Sequence, residues 1–329
     1  MSIYRTVKGY SVKSVSSDPA NVKEGQIWYN SSVQKIKVAP KIAAWASGSS
    51  LGTARGNAAH DGIQTAAFIA GGGPATVNHE QYDGTDWTEA ANLTKSRTYL
   101  AGCGTTTAGL AVGGFSPPSS PTFADNESEE WDGSSWAEGN NLGTARYGLQ
   151  GAGTQTTGLA FGGTDDGFVA HTEEYNGTSW SEQNNLSVAK CYLAGMGTQT
   201  AALAISGQPS STATTAHVEE YDGTSWTEGP DVNTQRGALA GASGTSTSAL
   251  VYGGIPSGVA PGTGTANTET YDGTSWSETS NLATARYHVG GAGASNTSAL
   301  AFGGRNAPGF LTATEEFTDA ATTRTVDVS

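Results

Sequence analysis

The hydrophobic residues of this chain fall in short runs bounded by glycine and polar residues, and no stretch shows the spacing of an amphipathic helix. Six of these runs end at or beside a glycine pair or its equivalent. They are residues 67–70, 110–112, 159–161, 203–205, 250–252 and 300–302. Runs this short, with breakers on both sides, predict buried β-strands. We therefore expect an all-β protein.

A tryptophan followed ten positions later by a basic residue recurs six times. The pairs are Trp45 and Arg55, Trp87 and Arg97, Trp136 and Arg146, Trp180 and Lys190, Trp226 and Arg236, and Trp276 and Arg286. The repeat period is roughly 45 residues, which is typical of arrays of small sheet units. A spacing that never changes predicts the same backbone shape in every copy.

Each repeat contains four predicted strands, which we name a to d in chain order. Strand a is rich in Gly and Ala, as in residues 99–102 and 192–195, and strand b is the apolar run. Strand c alternates polar and apolar residues and ends in Glu-x-Tyr or a close variant, and strand d begins at the tryptophan. An Asp-Gly or Asn-Gly dipeptide separates c from d, and such dipeptides favour a tight hairpin turn. The pattern predicts a four-stranded antiparallel meander.

Such sheets cannot bury both faces alone, so we expect them to pack on one another radially, which also removes exposed edges. The glycine doublet, the tyrosine and the tryptophan that follows resemble the kelch repeat of galactose-oxidase-like β-propellers. The resemblance covers residues 42–329 and implies a six-bladed β-propeller. The strand at Trp45 is expected to complete the last blade, because the last strand c, at residues 315–317, has no tryptophan after it. Residues 322–328 also alternate like a strand and could compete for this place or add an outer strand.

Residues 1–41 lie outside the repeats. Within them, residues 26–30 and 35–38 flank a polar turn and predict a β-hairpin. The segment holds seven Lys or Arg and two Asp or Glu, whereas residues 42–329 hold nine and 28, so the net charges are +5 and −19. We interpret residues 1–41 as a basic anchoring arm that can meet an acidic partner. Its candidate anchoring residues are Arg5, Lys8, Lys13, Trp28 and Tyr29.

The acidic charge of the repeats argues against nucleic-acid binding, because it repels phosphate backbones. The first residues lack an apolar stretch followed by a small-residue cleavage site, so we expect no secretory signal and synthesis in a cytoplasm. No apolar run is long enough to predict a membrane span. Cys103 and Cys191 occupy different places in different repeats, which predicts two free buried thiols and no disulfide between them.

The near-identical repeats, together with an opening such as residues 18–30, resemble virion structural proteins of marine tailed bacteriophages, such as tail-fibre or head-decoration proteins. The resemblance implies a non-enzymatic virion protein, present in many copies or as a homo-oligomer, whose arm joins a tail or capsid component. The propeller would then face outward and bind a host-surface glycan or protein. The alternative is a capsid decoration or cement protein whose loops bind neighbouring subunits.

Candidate enzymatic chemistry is poorly represented. Copper oxidation, the enzymatic precedent for this kind of propeller, needs a thiol beside a tyrosine and a cluster of histidines, whereas the five histidines here are scattered over different repeats. No calcium-binding loop is present either, so we expect no metal and no cofactor. A glycan-active or oxidising enzyme is a further alternative, and it would require carboxylates such as Asp165, Asp166 and Glu127 to converge.

Two sets of charge repeat with the strands. The first comprises the basic residues that precede strand a, and the second comprises Glu80, Glu129, Glu173, Glu219, Glu269 and Glu315 in strand c. One interpretation is a structural ion pair in each repeat. The other is that the basic residues surround a central channel and bind an anion.

Nearly all length variation falls between strands b and c, since the spacing from the basic residue to the glycine pair is 16 or 17 residues in every repeat. In a meander these loops leave the sheet on the same side as the d-to-a links, which predicts variable loops on a rigid frame. The candidate binding residues are Phe115, Pro117, Asp165, Asp166, Phe168, Pro256, Asn306 and Phe310. The alternative is that these loops are solvated decoration.

Overall fold

Among the residues that the structure describes, every helix or strand assigned is a β-strand, as the sequence predicts. The computed structural model describes residues 6–7, 10–19, 26–39, 41–116, 124–238, 242–258, 262–307, 309–321 and 324–326. Two compact units are present, one formed by Met1–Ala44 with Thr318–Ser329 and the other by Trp45–Phe317. Residues 318–329, which the sequence prediction counts with the repeats, thus group with the N-terminal segment.

Six four-stranded antiparallel sheets contain the repeats, and we number them 1 to 6 along the chain. Sheet 1 consists of Ala59–Ile63, Ala66–Ala70, His79–Tyr82 and Trp87–Ala90. Sheet 2 consists of Ala101–Gly104, Gly109–Phe115, Ala124–Trp131 and Trp136–Glu138. Sheet 3 consists of Gln150–Gly153, Gly158–Phe161, Thr172–Tyr175 and Trp180–Glu182. Sheets 4 and 5 consist of Ala194–Thr198, Ala201–Ile205, Val218–Tyr221 and Trp226–Glu228; and Ala242–Thr245, Ser248–Tyr252, Thr268–Tyr271 and Trp276–Glu278. Sheet 6 consists of Gly290–Ser295, Ser298–Phe302, Thr314–Ala321 and Lys41–Ser47. The order a-b-c-d holds throughout, so the predicted meander is confirmed.

The turn between strands c and d follows the chemistry of its Asp-Gly or Asn-Gly dipeptide. In sheet 2, Gly133 adopts a φ of 93°, and the Asp132 carboxylate accepts hydrogen bonds from the backbone N–H groups of Ser134 and Ser135, both at 2.8 Å. This turn places the last residue of strand c opposite the tryptophan of strand d, as with Tyr175 and Trp180. The hairpin therefore fixes the register of the two outer strands.

The apolar side chains fill the spaces between successive sheets. Leu203 and Ile205 of sheet 4 are fully buried in one cluster with Val251 and Trp276 of sheet 5. The aromatic ring of Phe161 in sheet 3 lies 5.0 Å from that of Trp226 in sheet 4. In the described part of the chain, four hydrophobic clusters join residues of successive sheets and a fifth joins sheets 6 and 1, so these sheets share their cores.

Small residues let the first strands of neighbouring sheets approach closely. A Cβ atom on Gly102 would lie 2.5 Å from the backbone nitrogen of His60 in the preceding sheet, and one on Gly151 would lie 2.7 Å from the carbonyl oxygen of Gly102. The first strand of each sheet contacts that of the next, and the first strand of sheet 6 also contacts that of sheet 1. The glycine content of strand a is therefore a packing requirement.

The strand that contains Trp45 is the outer strand of sheet 6. It follows Thr314–Ala321 in the sheet order, Gly48 donates a backbone hydrogen bond of 2.9 Å to Thr314, and the Trp45 ring lies 5.1 Å from that of Phe317. The tail forms a strand at Arg324–Val326, but this strand pairs with Lys35–Val38. The described part of the tail therefore neither competes with the Trp45 strand nor extends sheet 6, because the arm supplies it with a partner.

The N-terminal unit has a sheet of its own, with the order Lys13–Val15, Ile27–Asn30, Lys35–Val38 and Arg324–Val326. The predicted hairpin is present, and the first strand pairs with it in parallel. Trp28 is only 1% exposed and donates a hydrogen bond of 2.9 Å to Asp18. It is a core residue of this sheet, and an exposed anchoring role is wrong for it.

Of the other candidate anchoring residues, Lys13 is exposed and Tyr29 is half-buried. Arg5 and Lys8 lie outside the described residues.

Three two-stranded ladders complete the structure. They are Thr6–Val7 with Tyr10–Ser11, Arg236–Gly237 with Ile255–Pro256, and Arg305–Asn306 with Gly309–Phe310.

His79 makes the stability of the fold dependent on pH. The residue is buried in strand c of sheet 1, where its Nδ1 atom lies 3.1 Å from Nε1 of Trp136, and burial lowers its pKa to about 4. An unfolded histidine has a pKa of about 6.5, so the unfolded chain takes up a proton before the folded chain does. The free energy of unfolding should therefore fall as the pH drops from about 6.5 to about 4, by up to roughly 1.4 kcal/mol per pH unit.

A His79→Thr variant should lose this part of the pH dependence. Threonine stands at the equivalent position in three other sheets, where Thr172, Thr268 and Thr314 accept the hydrogen bond from the tryptophan Nε1. Urea denaturation at several pH values measures the slope of the free energy of unfolding against pH. The matched control is His171→Thr, because the His171 side chain is 33% exposed, and it should keep the slope. An unchanged slope in His79→Thr would contradict the assignment.

Candidate functional site

The repeated charges form six buried ion pairs. Each basic residue lies in the link that enters a sheet from the preceding one, and its charged group meets the glutamate in strand c of the sheet that it enters. The pairs are Arg55 and Glu80 at 2.7 Å, Arg97 and Glu129 at 2.7 Å, Arg146 and Glu173 at 2.6 Å, Lys190 and Glu219 at 3.2 Å, Arg236 and Glu269, and Arg286 and Glu315. All six basic side chains are 0% exposed. The structural interpretation is confirmed, and anion binding by these residues is wrong.

Most of the remaining hydrogen bonds of the pairs are also made inside the protein, whereas the Nε atoms of the five arginines and Oε1 of Glu219 have no hydrogen-bond partner among the described residues. The second carboxylate oxygen accepts a backbone N–H from the link, as from Gly143 to Glu173 at 2.7 Å. The guanidinium group also donates to backbone carbonyls of the same sheet, as from Arg97 to Gly113 at 2.9 Å. Because the charges are paired and hydrogen-bonded, their burial is tolerated. The pair fixes the link to the sheet and leaves no charge for a ligand.

The variable b-to-c loops and the d-to-a links lie on one face, which we call the loop face. In five repeats a residue of the link forms an isolated β-bridge with a residue near the start of the loop. These bridges join Gly56 to Gly73, Thr98 to Phe115, Tyr147 to Thr164, Cys191 to Gln208, and Tyr287 to Arg305. The predicted side-by-side placement of loops and links is thus seen in the backbone pairing.

The aromatic residues proposed as loop tips are half-buried on this face. Phe115 packs edge-on against Tyr147 with ring centroids 5.6 Å apart. Phe310 lies beneath the guanidinium of Arg305, which is 5.3 Å from its ring centroid, and Phe168 pairs through its backbone with Thr164. Ring contacts therefore hold Phe115 and Phe310 in place, and backbone pairing fixes the position of Phe168.

The polar and proline residues among the candidate binding residues lie on different loops. Asp165 accepts backbone hydrogen bonds from Asp166 at 2.6 Å and from Gly167 at 3.2 Å, and Asp166 is exposed. Pro256 and Asn306 lie in the short ladders described above. Pro117 lies outside the described residues.

The carboxylates of the enzyme alternative have local structural partners. Glu127 forms an ion pair with Lys95 at 2.9 Å, and Asp165 stabilises the turn of its own loop. The described part of the chain contains no group of three or more His, Cys, Asp or Glu placed to hold a metal ion.

A set of residues that the sequence analysis did not single out converges on the loop face. They lie two positions after each basic residue, and we call them the hexad: Asn57, Tyr99, Gly148, Tyr192, Ala238 and His288. All six have left-handed backbones with φ between 49° and 63°, a conformation that costs energy for the five that are not glycine. The fixed spacing from the basic residue was a signal in the sequence that could have identified them.

Five backbone hydrogen bonds link members of the hexad from different repeats. Tyr99 donates to Asn57 at 2.7 Å, Gly148 to Tyr99 at 2.9 Å and Tyr192 to Gly148 at 2.8 Å. His288 donates to Ala238 at 3.1 Å, and Asn57 donates to His288 at 3.3 Å. The left-handed backbone turns each N–H and C=O toward the neighbouring repeat, and these bonds offset part of its strain.

The side chains of the hexad form an aromatic cluster. Tyr99, Tyr192 and His288 come from links to sheets 2, 4 and 6, yet their ring centroids are only 5.3 to 5.7 Å apart. Tyr147 lies 6.2 Å from Tyr99, and Tyr287 lies 5.0 Å from His288, so the cluster extends outward along the links. The three central rings are half-buried, so part of their surface faces solvent on the loop face.

A cavity of about 50 Å³ is lined by hexad members together with His60 and Gln150. Burial and then the charge of Arg305 lower the pKa of His288 to about 3. Burial raises the pKa of Tyr99, against the opposing effect of Arg305. At neutral pH the cluster is therefore uncharged, with a cation nearby.

The two cysteines are free and buried, as predicted. Burial raises the pKa of Cys191 to about 12 and raises that of Cys103 as well, so neither thiol is a ready nucleophile at neutral pH.

Within the described ranges, no helix has the length and apolar character needed to cross a membrane.

An Arg146→Ala substitution should lower the free energy of unfolding by about 3 to 5 kcal/mol, because it leaves Glu173 buried without a partner. Chemical denaturation measures the loss. Arg305→Ala is the control, since Arg305 is exposed, and it should change stability by no more than about 0.5 kcal/mol. Replacing the pair together, as Arg146→Met with Glu173→Leu, should restore much of the loss. Equal stability of Arg146→Ala and the unaltered protein would contradict a structural role.

Comparison with known proteins supports the fold. No protein-family model matches the chain, and no curated protein sequence is significantly similar to it. Among solved structures, the chain is similar to one described as "Structure of YjhT", with a TM-score of 0.69 and 13% sequence identity over 84% of this chain and 99% of that one. At such low identity the likeness is one of fold alone. Together with the six four-stranded sheets, it identifies the chain as an all-β protein with a β-propeller-like fold.

Proposed function

We propose that the six sheets are the blades of one closed propeller of the kelch type, completed by the Trp45 strand. Sheets 6 and 1 share the contacts that join other successive sheets, which supports closure. Trp87 donates to Thr314 at 3.0 Å, as Trp226 does to Thr172 at 2.9 Å. Tyr82 donates to Glu316 at 2.6 Å, and Tyr221 makes the same bond to Glu174 at 2.9 Å.

On this frame we propose a non-enzymatic virion surface protein that binds the host surface through its loop face. The observation that carries the proposal is the division between a repeated scaffold and loops that differ in length and sequence on one face. Every buried Arg or Lys of the repeat is already paired with a glutamate, and of the candidate carboxylates Asp165 stabilises a local turn and Glu127 forms an ion pair. A rigid frame that presents variable loops suits recognition.

The N-terminal unit is proposed to join the particle. Residues 1–41 carry the opposite charge to the repeats, and their sheet is a separate compact unit. Opposite charges on the two units favour different partners, because electrostatic complementarity helps to select the partner. A tail component is the proposed attachment point. The second candidate is a capsid component, in which case the chain decorates or cements the shell.

Removing residues 1–39 should abolish incorporation into virions and leave the repeats folded, because the strand Lys41–Ser47 that belongs to sheet 6 is retained. Purified particles are probed for the chain by immunoblotting, and circular dichroism tests the fold of the free variant. A milder matched variant, Lys35→Glu with Lys37→Glu, should weaken incorporation if charge guides attachment.

Incorporation of the truncated chain at the normal level would overturn the anchoring role. Immunogold imaging of intact particles separates the two locations. Label on the tail supports the host-binding proposal, and label over the capsid shell supports decoration.

A further inference from the structure

Two groups of tyrosine hydroxyls differ in their hydrogen bonding. Those between the outer strands are committed to the scaffold: Tyr82, Tyr175, Tyr221 and Tyr271 each donate to a glutamate of the preceding sheet. In contrast, the hydroxyls of Tyr99, Tyr147 and Tyr192 on the loop face form no hydrogen bond within the described residues. The packing of sheets does not explain why tyrosine stands at these loop-face positions.

Other polar groups of the same region are also uncommitted. The Oδ1 atom of Asn57 is buried at the cavity and has no hydrogen-bond partner among the described residues. The His288 ring likewise makes no hydrogen bond there. A buried acceptor without a partner is costly, so the Asn57 amide at this cavity points to a ligand, and the half-buried tyrosine hydroxyls and His288 ring beside it offer further hydrogen bonds.

Charged groups stand at two places around the aromatic cluster. Arg305, from the b-to-c loop of sheet 6, is exposed and pairs through its backbone with Tyr287, the chain neighbour of His288. Asp166, from the loop of sheet 3, is exposed and lies two residues after Thr164, which pairs through its backbone with Tyr147. The cluster thus combines aromatic surface, uncommitted hydroxyl and amide groups, and one charge of each sign.

We propose that the hexad, with Arg305 and Asp166 beside it, is a binding site for one pyranose ring of a glycan. This inference rests on the proposed function, for which it names the ligand class. A pyranose presents C–H groups on its ring faces, which pack on tyrosine, and hydroxyl groups around its edge, which need both donors and acceptors. Ligand sites in general join aromatic surface to a few placed polar groups, and this is the composition of the hexad.

Other ligand classes fit the site less well. A nucleic acid is disfavoured by the net charge of −19 in residues 42–329. A quaternary ammonium ion needs aromatic rings that surround it, whereas these rings contact one another at 5.3 to 5.7 Å and have Arg305 nearby. A protein partner of ordinary affinity needs an interface far larger than this cluster. The exposed surface of the three aromatic side chains suits a single pyranose ring.

The chain itself supplies the variants for a test. Gly148 occupies the hexad position in sheet 3 with φ of 63°, so Tyr99→Gly and Tyr192→Gly keep the backbone and remove two rings. Glycine also relieves the strain of a left-handed residue. The double variant should therefore fold, which thermal denaturation verifies. Tyr221→Phe is the matched control, since it removes a tyrosine hydroxyl from the scaffold only.

Binding is measured on the full chain by saturation-transfer NMR and calorimetry. The probes are the methyl pyranosides of glucose, galactose, mannose and N-acetylglucosamine, and tetramethylammonium. The unaltered chain should bind at least one pyranoside, and the double glycine variant should bind it at least about tenfold more weakly, as expected for central aromatic contacts. Tyr221→Phe should bind like the unaltered chain.

Absence of binding to all four pyranosides overturns the proposal, as does equal binding by the double glycine variant. Binding of tetramethylammonium alone overturns it in favour of a cation site. The measurement needs no particle, so its failure is distinct from failure of the virion role. Sugar binding by a chain that virions do not contain would overturn the virion role and leave the site.

Discussion

The buried ion pair between each link and the sheet that it enters is the interaction on which the rest of the structure depends. Its basic residue lies ten positions after a tryptophan in every copy, and its glutamate lies two positions before the end of strand c. The carboxylate binds the side chain and a backbone N–H of the link together, as Glu173 does with Arg146 and Gly143. A link of fixed length, held at one point by a buried charge pair, can take only one path.

This constraint explains the geometry of the loop face. Because the ion pair fixes the link at the basic residue, the residue two positions later occupies an equivalent position in each repeat. Its backbone can therefore hydrogen-bond to the equivalent backbone of a neighbouring repeat. The strain of five non-glycine residues in the left-handed region persists because the ion pairs on one side and the backbone bonds on the other over-determine the conformation. Side chains at these positions are then free to differ, and the chain places Tyr, Asn, His, Gly and Ala there.

The scaffold and the candidate site therefore use different chemistry. Between the sheets, four tyrosines donate to a glutamate of the neighbouring sheet, and four tryptophans donate to a threonine or histidine, so these polar atoms stabilise the packing. On the loop face, tyrosine hydroxyls and the Asn57 amide lack such partners among the described residues. This contrast within one residue type separates structural aromatic residues from those proposed to bind a ligand.

The sequence by itself determined the all-β class, the four strands of each repeat and the tight turn before each tryptophan. These features depend on local propensity and fixed spacing, which can be recognised in one repeat at a time. The tertiary structure decided that the repeated charges form buried ion pairs, that Trp28 is a core residue, that the tail strand Arg324–Val326 pairs with the arm, and that Tyr99, Tyr192 and His288 meet. Each of these depends on contacts between residues far apart in the chain, and no local pattern specifies which distant segments become neighbours.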